Sequence, residues 1–230
     1  MKFSDKKIPS SVAVIMDGNG RWAKKRLMPR SVGHKAGVKT LFKIARHAFD
    51  VGVKYFTVYA FSTENKNRPK EEVDGLIDLI REHFSSSFDE LISRGIAIKI
   101  LGDRSYFPDD VVGILNQIEV DSASQTNGTM CVALNYGGRA EIIKAVNEAI
   151  QKGEEVTEQE FEKYLYTSDI PDPDIILRTG GEKRLSNFLL YQSAYSELFF
   201  VDTLWPDFSE KEFDNILEEF SQRNRRYGKV

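Results

Sequence analysis

Short runs of aliphatic and β-branched residues alternate along the chain with longer segments in which apolar positions recur every three to four residues. The first kind reads as buried strands and the second as amphipathic helices, and their alternation is the pattern of repeated strand–helix–strand units. Strands are predicted over 12–16, 55–61, 96–101, 130–135, 175–177 and 198–201. Between the first two, Val38, Leu41, Phe42, Ala45 and Phe49 form a helical stripe that Gly52 closes just past the C-cap. A second stripe comprises Val73, Leu76, Ile77, Ile80, Phe84, Phe88, Leu91 and Ile92. It starts at Pro69 with Glu71 and Glu72 in its first turn, as the helix macrodipole favours, and runs to Gly95. The serines at 85–87 read as a kink or break in it. Further helices are expected over 109–124, 140–151, 157–165 and 209–225. No repeat, low-complexity tract or linker divides the chain. The expectation is therefore α/β: a single domain over 1–230 with a mostly parallel central sheet of about six strands flanked by helices. In such a sheet the chemistry collects in the loops beyond the carboxyl ends of the strands.

Composition narrows this picture. At 230 residues the chain can bury a sizeable core without staples, and the lone Cys131 could not supply an intrachain disulfide. The first residues offer no apolar signal segment, and the longest aliphatic run, 12–16, is far short of the roughly 20 residues that span a bilayer. A cytoplasmic location with at most peripheral membrane contact is expected. The balance of 32 Lys and Arg against 35 Asp and Glu argues against nucleic-acid coating. That balance hides a gradient, since residues 1–54 carry 13 basic and only 3 acidic side chains. A basic segment is either a solvated face or an anion receptor, and the loops favour the receptor.

The loop after the first predicted strand reads Asp17, Gly18, Asn19, Gly20, Arg21 and Trp22, with Arg30, Gly33 and His34 following. Two glycines and an asparagine can aim consecutive amides into one concavity, although a plain surface turn has the same composition. Asp17 at the strand tip would repel a phosphate unless a divalent cation lay between them, so it reads as a Mg²⁺ ligand. Gly18, Gly20 and Ala23 also satisfy a relaxed dinucleotide fingerprint, but a basic run follows instead of an apolar helix face and no acidic residue stands at the ribose spacing. The second loop, 62–69, is dense in hydroxyl, amide and charge. A third, from Arg178 through Gly180, Gly181, Arg184 and Ser186, resembles a second phosphate receptor. Two anion sites with apolar walls between them suggest two phosphorylated substrates bearing hydrocarbon tails.

Five separated stretches in this order resemble the cis-prenyltransferases: AVIMDGNGRWA at 13–23, YAFSTEN at 59–65, NYGGR at 135–139, LRTGGE at 177–182 and ELFF at 197–200. The resemblance implies repeated condensation of isopentenyl diphosphate onto farnesyl diphosphate, giving a long-chain polyprenyl diphosphate of the undecaprenyl type for cell-wall synthesis. A shorter-chain synthase and a non-catalytic subunit are the alternatives. It further implies that Gly18, Asn19, Gly20, Arg21, Arg30 and His34 hold the allylic diphosphate, with Mg²⁺ on Asp17 and Glu197 close to the metal. Arg178, Arg184 and Ser186 would hold isopentenyl diphosphate. Ser62 and Asn65 would lie near the reacting carbons, with Asn65 catalytic beside Asp17, and Trp22, Thr63, Glu64 and Arg68 would contact substrate. Arg226 and Gly228 would complete the partner's site in a homodimer. Lys66 and Lys183 depart from residues common in the family, an aromatic and a histidine.

Overall fold

The computed structural model describes residues 7–153 and 155–223, with the backbone alone over 83–86. Strand β1 (Ser11–Ile15) is buried at every position, which an unbroken run of small and β-branched residues achieves only when both faces of the sheet are covered. Along the chain follow α1 (Asn19–Lys25), α2 (Arg30–Val51), β2 (Tyr55–Ser62), α3 (Lys70–Ser93), β3 (Ile96–Leu101) and α4 (Asp109–Ser122). The second half supplies β4 (Gly128–Tyr136), α5 (Gly138–Lys152), α6 (Glu158–Phe161), β5 (Ile175–Arg178), β6 (Glu197–Phe200) and α7 (Glu210–Gln222). The six strands form one sheet in the order β3-β4-β2-β1-β5-β6, and every pairing is parallel. The chain leaves β1 toward one edge and later returns to its other side with β5. The carboxyl ends of β1 and β5 thus flank the topological switch point, where open parallel sheets bind ligands.

Alternation along the strands splits the core. Val12, Val14, Phe56 and Val58 face a thick layer that includes Ile44 of α2, Phe88 of α3, Leu115 of α4 and Phe213 of α7. Ala13, Ile15, Cys131, Ala133 and Ile176 face a thinner one that includes Tyr136, Phe188 and Leu189. Among the described residues no helix is long and apolar enough to cross a membrane.

Four local expectations change. Helix α2 begins at Arg30, eight residues before its apolar stripe, because Pro29 sets the first turn and the polar opening lies over a ligand-sized cavity instead of the sheet. Residues 19–25, read as loop, are a short helix whose N-cap Gly18 takes φ 109°, a left-handed conformation that a side chain resists. The backbone of α3 continues through 85–87 without a break. The 157–165 segment is α6 followed by a 3₁₀ turn over Glu162–Tyr164.

Two glycines one turn apart on α2 fix the position of α1. A Cβ at Gly33 would fall 2.1 Å from the Asn19 carbonyl oxygen, and one at Gly37 would fall 2.2 Å from the Asn19 side-chain oxygen. Sequence reading treats Gly33 as part of an anion loop, whereas here it is the floor on which α1 rests. Gly75, on α3, has open space around it. Gly33→Ala should therefore lose about 1–3 kcal/mol of stability in denaturant melts. Gly75→Ala should gain about 0.5–1 kcal/mol from helix propensity alone.

Candidate active site

At the mouth of the switch point, Asp17 extends two residues past the end of β1, beside Arg178 at the tip of β5. Arg178 donates from Nη2 to Asp17 Oδ2 at 2.9 Å, and from Nη1 to the Arg184 carbonyl at 2.6 Å and Ser186 Oγ at 2.7 Å. Its side chain is only 5% exposed. Arg21 reaches the other Asp17 oxygen at 3.0 Å and donates to the Gly180 carbonyl at 2.7 Å. Burial alone would raise the Asp17 carboxyl, but hydrogen bonds and charge from Arg178 and Arg21 outweigh it and hold the group below the ordinary carboxylate range. Asp17 is an ionised carboxylate set among cations.

Across the mouth, Arg30 lies over Gly20 and pairs with Glu72 at 3.3 Å, and Arg68 donates to the same Glu72 oxygen at 2.9 Å. His34 stands one helical turn below Arg30. Burial lowers its pKa first, Glu72 opposes, and Arg68 and Arg30 push it down further, so the imidazole is neutral at neutral pH and acts as a hydrogen-bonding group. Behind this charged rim a cavity of about 730 Å³ runs inward between α2 and α3, walled by Val38, Leu41, Phe61, Leu76, Leu79 and Ile80. Only the first half of the α3 stripe serves as wall; Phe88 is fully buried in the core, and the Phe84 side chain lies outside the described residues.

The fold gathers Asp17, Gly18, Asn19, Gly20, Arg21, Arg30, His34, Ser62, Glu64, Asn65, Arg68, Arg178, Arg184 and Ser186 around this one cavity. Three expected residues go elsewhere. The Trp22 indole N–H donates to Asp207 at 2.6 Å with Arg26 stacked 4.1 Å from the ring centre, so Trp22 pins α1 to the turn before α7. Thr63 donates its hydroxyl to Glu64 at 3.1 Å and is not in the lining. Glu197 is not brought to Asp17: β6 runs parallel to β5 with Glu197 opposite Ile175 and Phe200 opposite Arg178. Glu197 thus sits three residues, about 10 Å, short of the strand tips, where it pairs with Arg223 at 2.7 Å. Arg226 and Gly228 lie outside the described residues. Among the described residues no three His, Cys, Asp or Glu side chains cluster as metal ligands. The donor set suits a hard cation that shares one carboxylate, Asp17, with substrate phosphates, the way Mg²⁺ is usually bound, and does not make a cage of its own.

Sequence reading missed Asn187. Its amide Nδ2 donates to Glu64 Oε1 at 2.8 Å, its Oδ1 accepts from the Arg139 N–H at 2.9 Å, and its carbonyl accepts from the Gly138 N–H at 2.7 Å. Asn187 therefore ties the loop carrying Arg184 and Ser186 to the 3₁₀ turn Thr63–Asn67 and to the start of α5. Ser186 and Asn187 hold left-handed φ angles of 48° and 66°, which makes the clasp the support for an otherwise unfavourable loop. The only sequence signal was an asparagine, the residue type that best tolerates that conformation. Asn65 closes a capping box with Ser62, its Oδ1 accepting from the Ser62 N–H at 3.0 Å. Lys66 rests 4.5 Å over the Tyr106 ring.

A family model described as "Putative undecaprenyl diphosphate synthase" matches residues 15–228. An isoprenyl transferase of Fusobacterium nucleatum is 48% identical over 98% of both chains, and one of Aquifex pyrophilus is 47% identical over 97% of both. The chain belongs to the cis-prenyltransferase family. Among solved structures, lavandulyl diphosphate synthase from Lavandula x intermedia, in complex with dimethylallyl diphosphate, superposes with a TM-score of 0.93 at 33% identity, covering 96% of this chain and 99% of that one. A probable undecaprenyl diphosphate synthase from Campylobacter jejuni gives 0.82 at 32% identity, covering 97% and 100%. This transferase shares with them the six-stranded parallel sheet on which the cavity is built.

The Asn187 clasp makes a pairwise prediction for this transferase. Asn187→Asp sets a carboxylate against Glu64 and should lower kcat/KM for the second substrate about ten- to hundredfold. Adding Glu64→Gln returns a donor to the pair and should recover activity to within about threefold of the parent. Additive losses in the double variant would show that the clasp does not act on the active site.

Proposed function

We propose that this transferase lengthens an allylic diphosphate, farnesyl diphosphate, by repeated cis addition of isopentenyl diphosphate. The observation that carries the reading is a single cavity with a cationic rim at the β1/β5 switch point and a dry aliphatic interior. In each cycle the allylic C–O bond breaks and diphosphate leaves with its electron pair. The isopentenyl double bond supplies the electrons of the new C–C bond, and a proton then departs to give a cis alkene. The leaving group needs its growing negative charge neutralised where it develops. Arg21, Arg30, Arg68 and the first-turn amides of α1 serve that purpose, exchanging the carboxylates of Glu72 and Glu182 for phosphate oxygens. His34, held neutral, donates a hydrogen bond. Arg184 and Ser186 hold the second diphosphate so that its alkene meets the allylic carbon in an oriented encounter. Arg178 acts less as a direct ligand than as the strut that orients Asp17 and Ser186. Asp17 would hold Mg²⁺, which would supply positive charge beside the leaving diphosphate. Glu197 has no place in that metal site within one chain.

The partner and location belong to the same reading. The exposed outer face of α5, with Ile143, Val146 and Ile150, and the uncovered edge strand β6, with Leu198, suit a homodimer contact. The buried, unpaired Cys131 suits a reducing cytoplasm, with the product passing to the inner face of the membrane as a cell-wall lipid precursor. The near-balanced charge argues against a nucleic-acid partner. A short-chain product is the second reading, favoured by the closeness of the superposition on the lavandulyl enzyme.

Incubation with farnesyl diphosphate, labelled isopentenyl diphosphate and Mg²⁺, followed by chromatography of the products, tests both readings; a single addition selects the second, and no incorporation rejects both. Asp17→Asn keeps the shape of the strut on Arg178 while weakening the hold on metal, and should cut kcat about 10²–10³-fold. Asp17→Ala is the poorer probe, because it leaves the buried Arg178 guanidinium without its counter-charge. Arg184 is 58% exposed, so Arg184→Ala should fold normally and raise the KM for isopentenyl diphosphate about tenfold while farnesyl diphosphate binding stays put. Equal losses for both substrates would refute the division of the rim.

A further inference from the structure

Helix α1 ends in a Schellman motif: the Met28 N–H bonds to the Ala23 carbonyl at 3.0 Å and the Leu27 N–H to the Lys24 carbonyl at 3.1 Å. The residue at the left-handed position of this motif is usually glycine. Here it is Leu27, at φ 56° and 97% exposed. A leucine there suffers the steric penalty of that backbone and gains no packing in return. Met28, 45% exposed, and Val32, 38% exposed, stand beside it, and residues 24–32 are exposed throughout.

The chain segment that carries this apolar tip bears charge of one sign. Residues 18–49 contain nine Lys and Arg and no Asp or Glu. Arg26 is paired with Asp207 and Arg30 with Glu72, while Lys24 and Lys25 make no ion pair among the described residues. Arg30, three residues past Leu27, lines the active-site cavity, so the tip stands beside its mouth.

We propose that the turn between α1 and α2 docks on an anionic lipid surface, with Leu27 and Met28 entering the headgroup layer and Lys24 and Lys25 facing the lipid phosphates. A small apolar insertion combined with a cationic ring gives the two signals that reversible peripheral binding requires, and neither is sufficient alone. A protein partner is the less favoured occupant, because three apolar side chains are too few for a desolvated interface core. The contact deepens the transferase reading by presenting the cavity mouth to the bilayer that receives a polyisoprenoid product. It rests on that reading only for its purpose.

Binding is measured on the full chain without substrates, by co-sedimentation with vesicles of phosphatidylglycerol and phosphatidylcholine and with vesicles of phosphatidylcholine alone. A failure here leaves the transferase assay standing. Binding to the anionic vesicles should weaken with salt, and the neutral vesicles should bind at least tenfold less. Leu27→Gly should lower partitioning about tenfold while raising the melting temperature, since glycine relieves the turn. That opposite movement separates a docking residue from a merely structural one. Lys24→Glu together with Lys25→Glu should abolish binding and leave single-addition turnover on soluble substrates unchanged. Equal partitioning of the parent and Leu27→Gly, or equal binding to both vesicle types, would overturn the proposal. So would a change in sedimentation of the protein alone on Leu27→Gly, because the tip would then be covered by another copy of the chain.

Discussion

Everything at the mouth of the cavity hangs on the ion pair between Asp17 and Arg178. The two residues come from adjacent parallel strands, with Ile15 of β1 in register with Arg178 of β5, so the sheet itself sets their approach. A guanidinium as buried as that of Arg178 is tolerated only with a counter-charge. Asp17 supplies the charge through Nη2, and the Arg184 carbonyl and Ser186 hydroxyl take the Nη1 donors. The same contacts thereby fix the loop that follows β5. One electrostatic requirement of the interior thus positions two separate parts of the rim.

The rim is built to exchange one kind of anion for another. Glu72 holds Arg30 and Arg68, and Glu182 holds Arg184 and lies 3.9 Å from Arg21. Arginines held in this way keep their geometry before substrate arrives, so less side-chain freedom is lost when phosphate oxygens replace the carboxylates. Most of these pairs are solvent-exposed and individually weak, which is what an exchangeable contact needs. The inner cavity has the opposite character, aliphatic and fixed by the packing of α2 on α3.

Left-handed backbone at non-glycine residues occurs both in the core, at Leu189, and where the chain does something other than pack. Left-handed backbone at Ser186 and Asn187 supports the second phosphate cup, and that at Leu27 supports an exposed apolar tip. The first is stabilised by the clasp to Glu64 and α5. The second has no such support within the described chain, which fits a contact outside it.

The alternation of apolar runs determined the six strands, their parallel arrangement and the loops that carry the chemistry, because strand period and burial on both faces are local properties of the chain. The residue types in those loops were enough to imply two phosphorylated substrates and a divalent cation. Other features depended on register and close approach, which no local pattern encodes. That Gly33 and Gly37 seat α1, that Trp22 faces Asp207 and that Asn187 joins two loops follow from segments far apart in sequence meeting within hydrogen-bond distance. Glu197 shows the limit most clearly. The family resemblance implied a place near the metal, but the parallel register of β5 and β6 keeps it from Asp17 within its own chain, and only the assembled sheet could decide that.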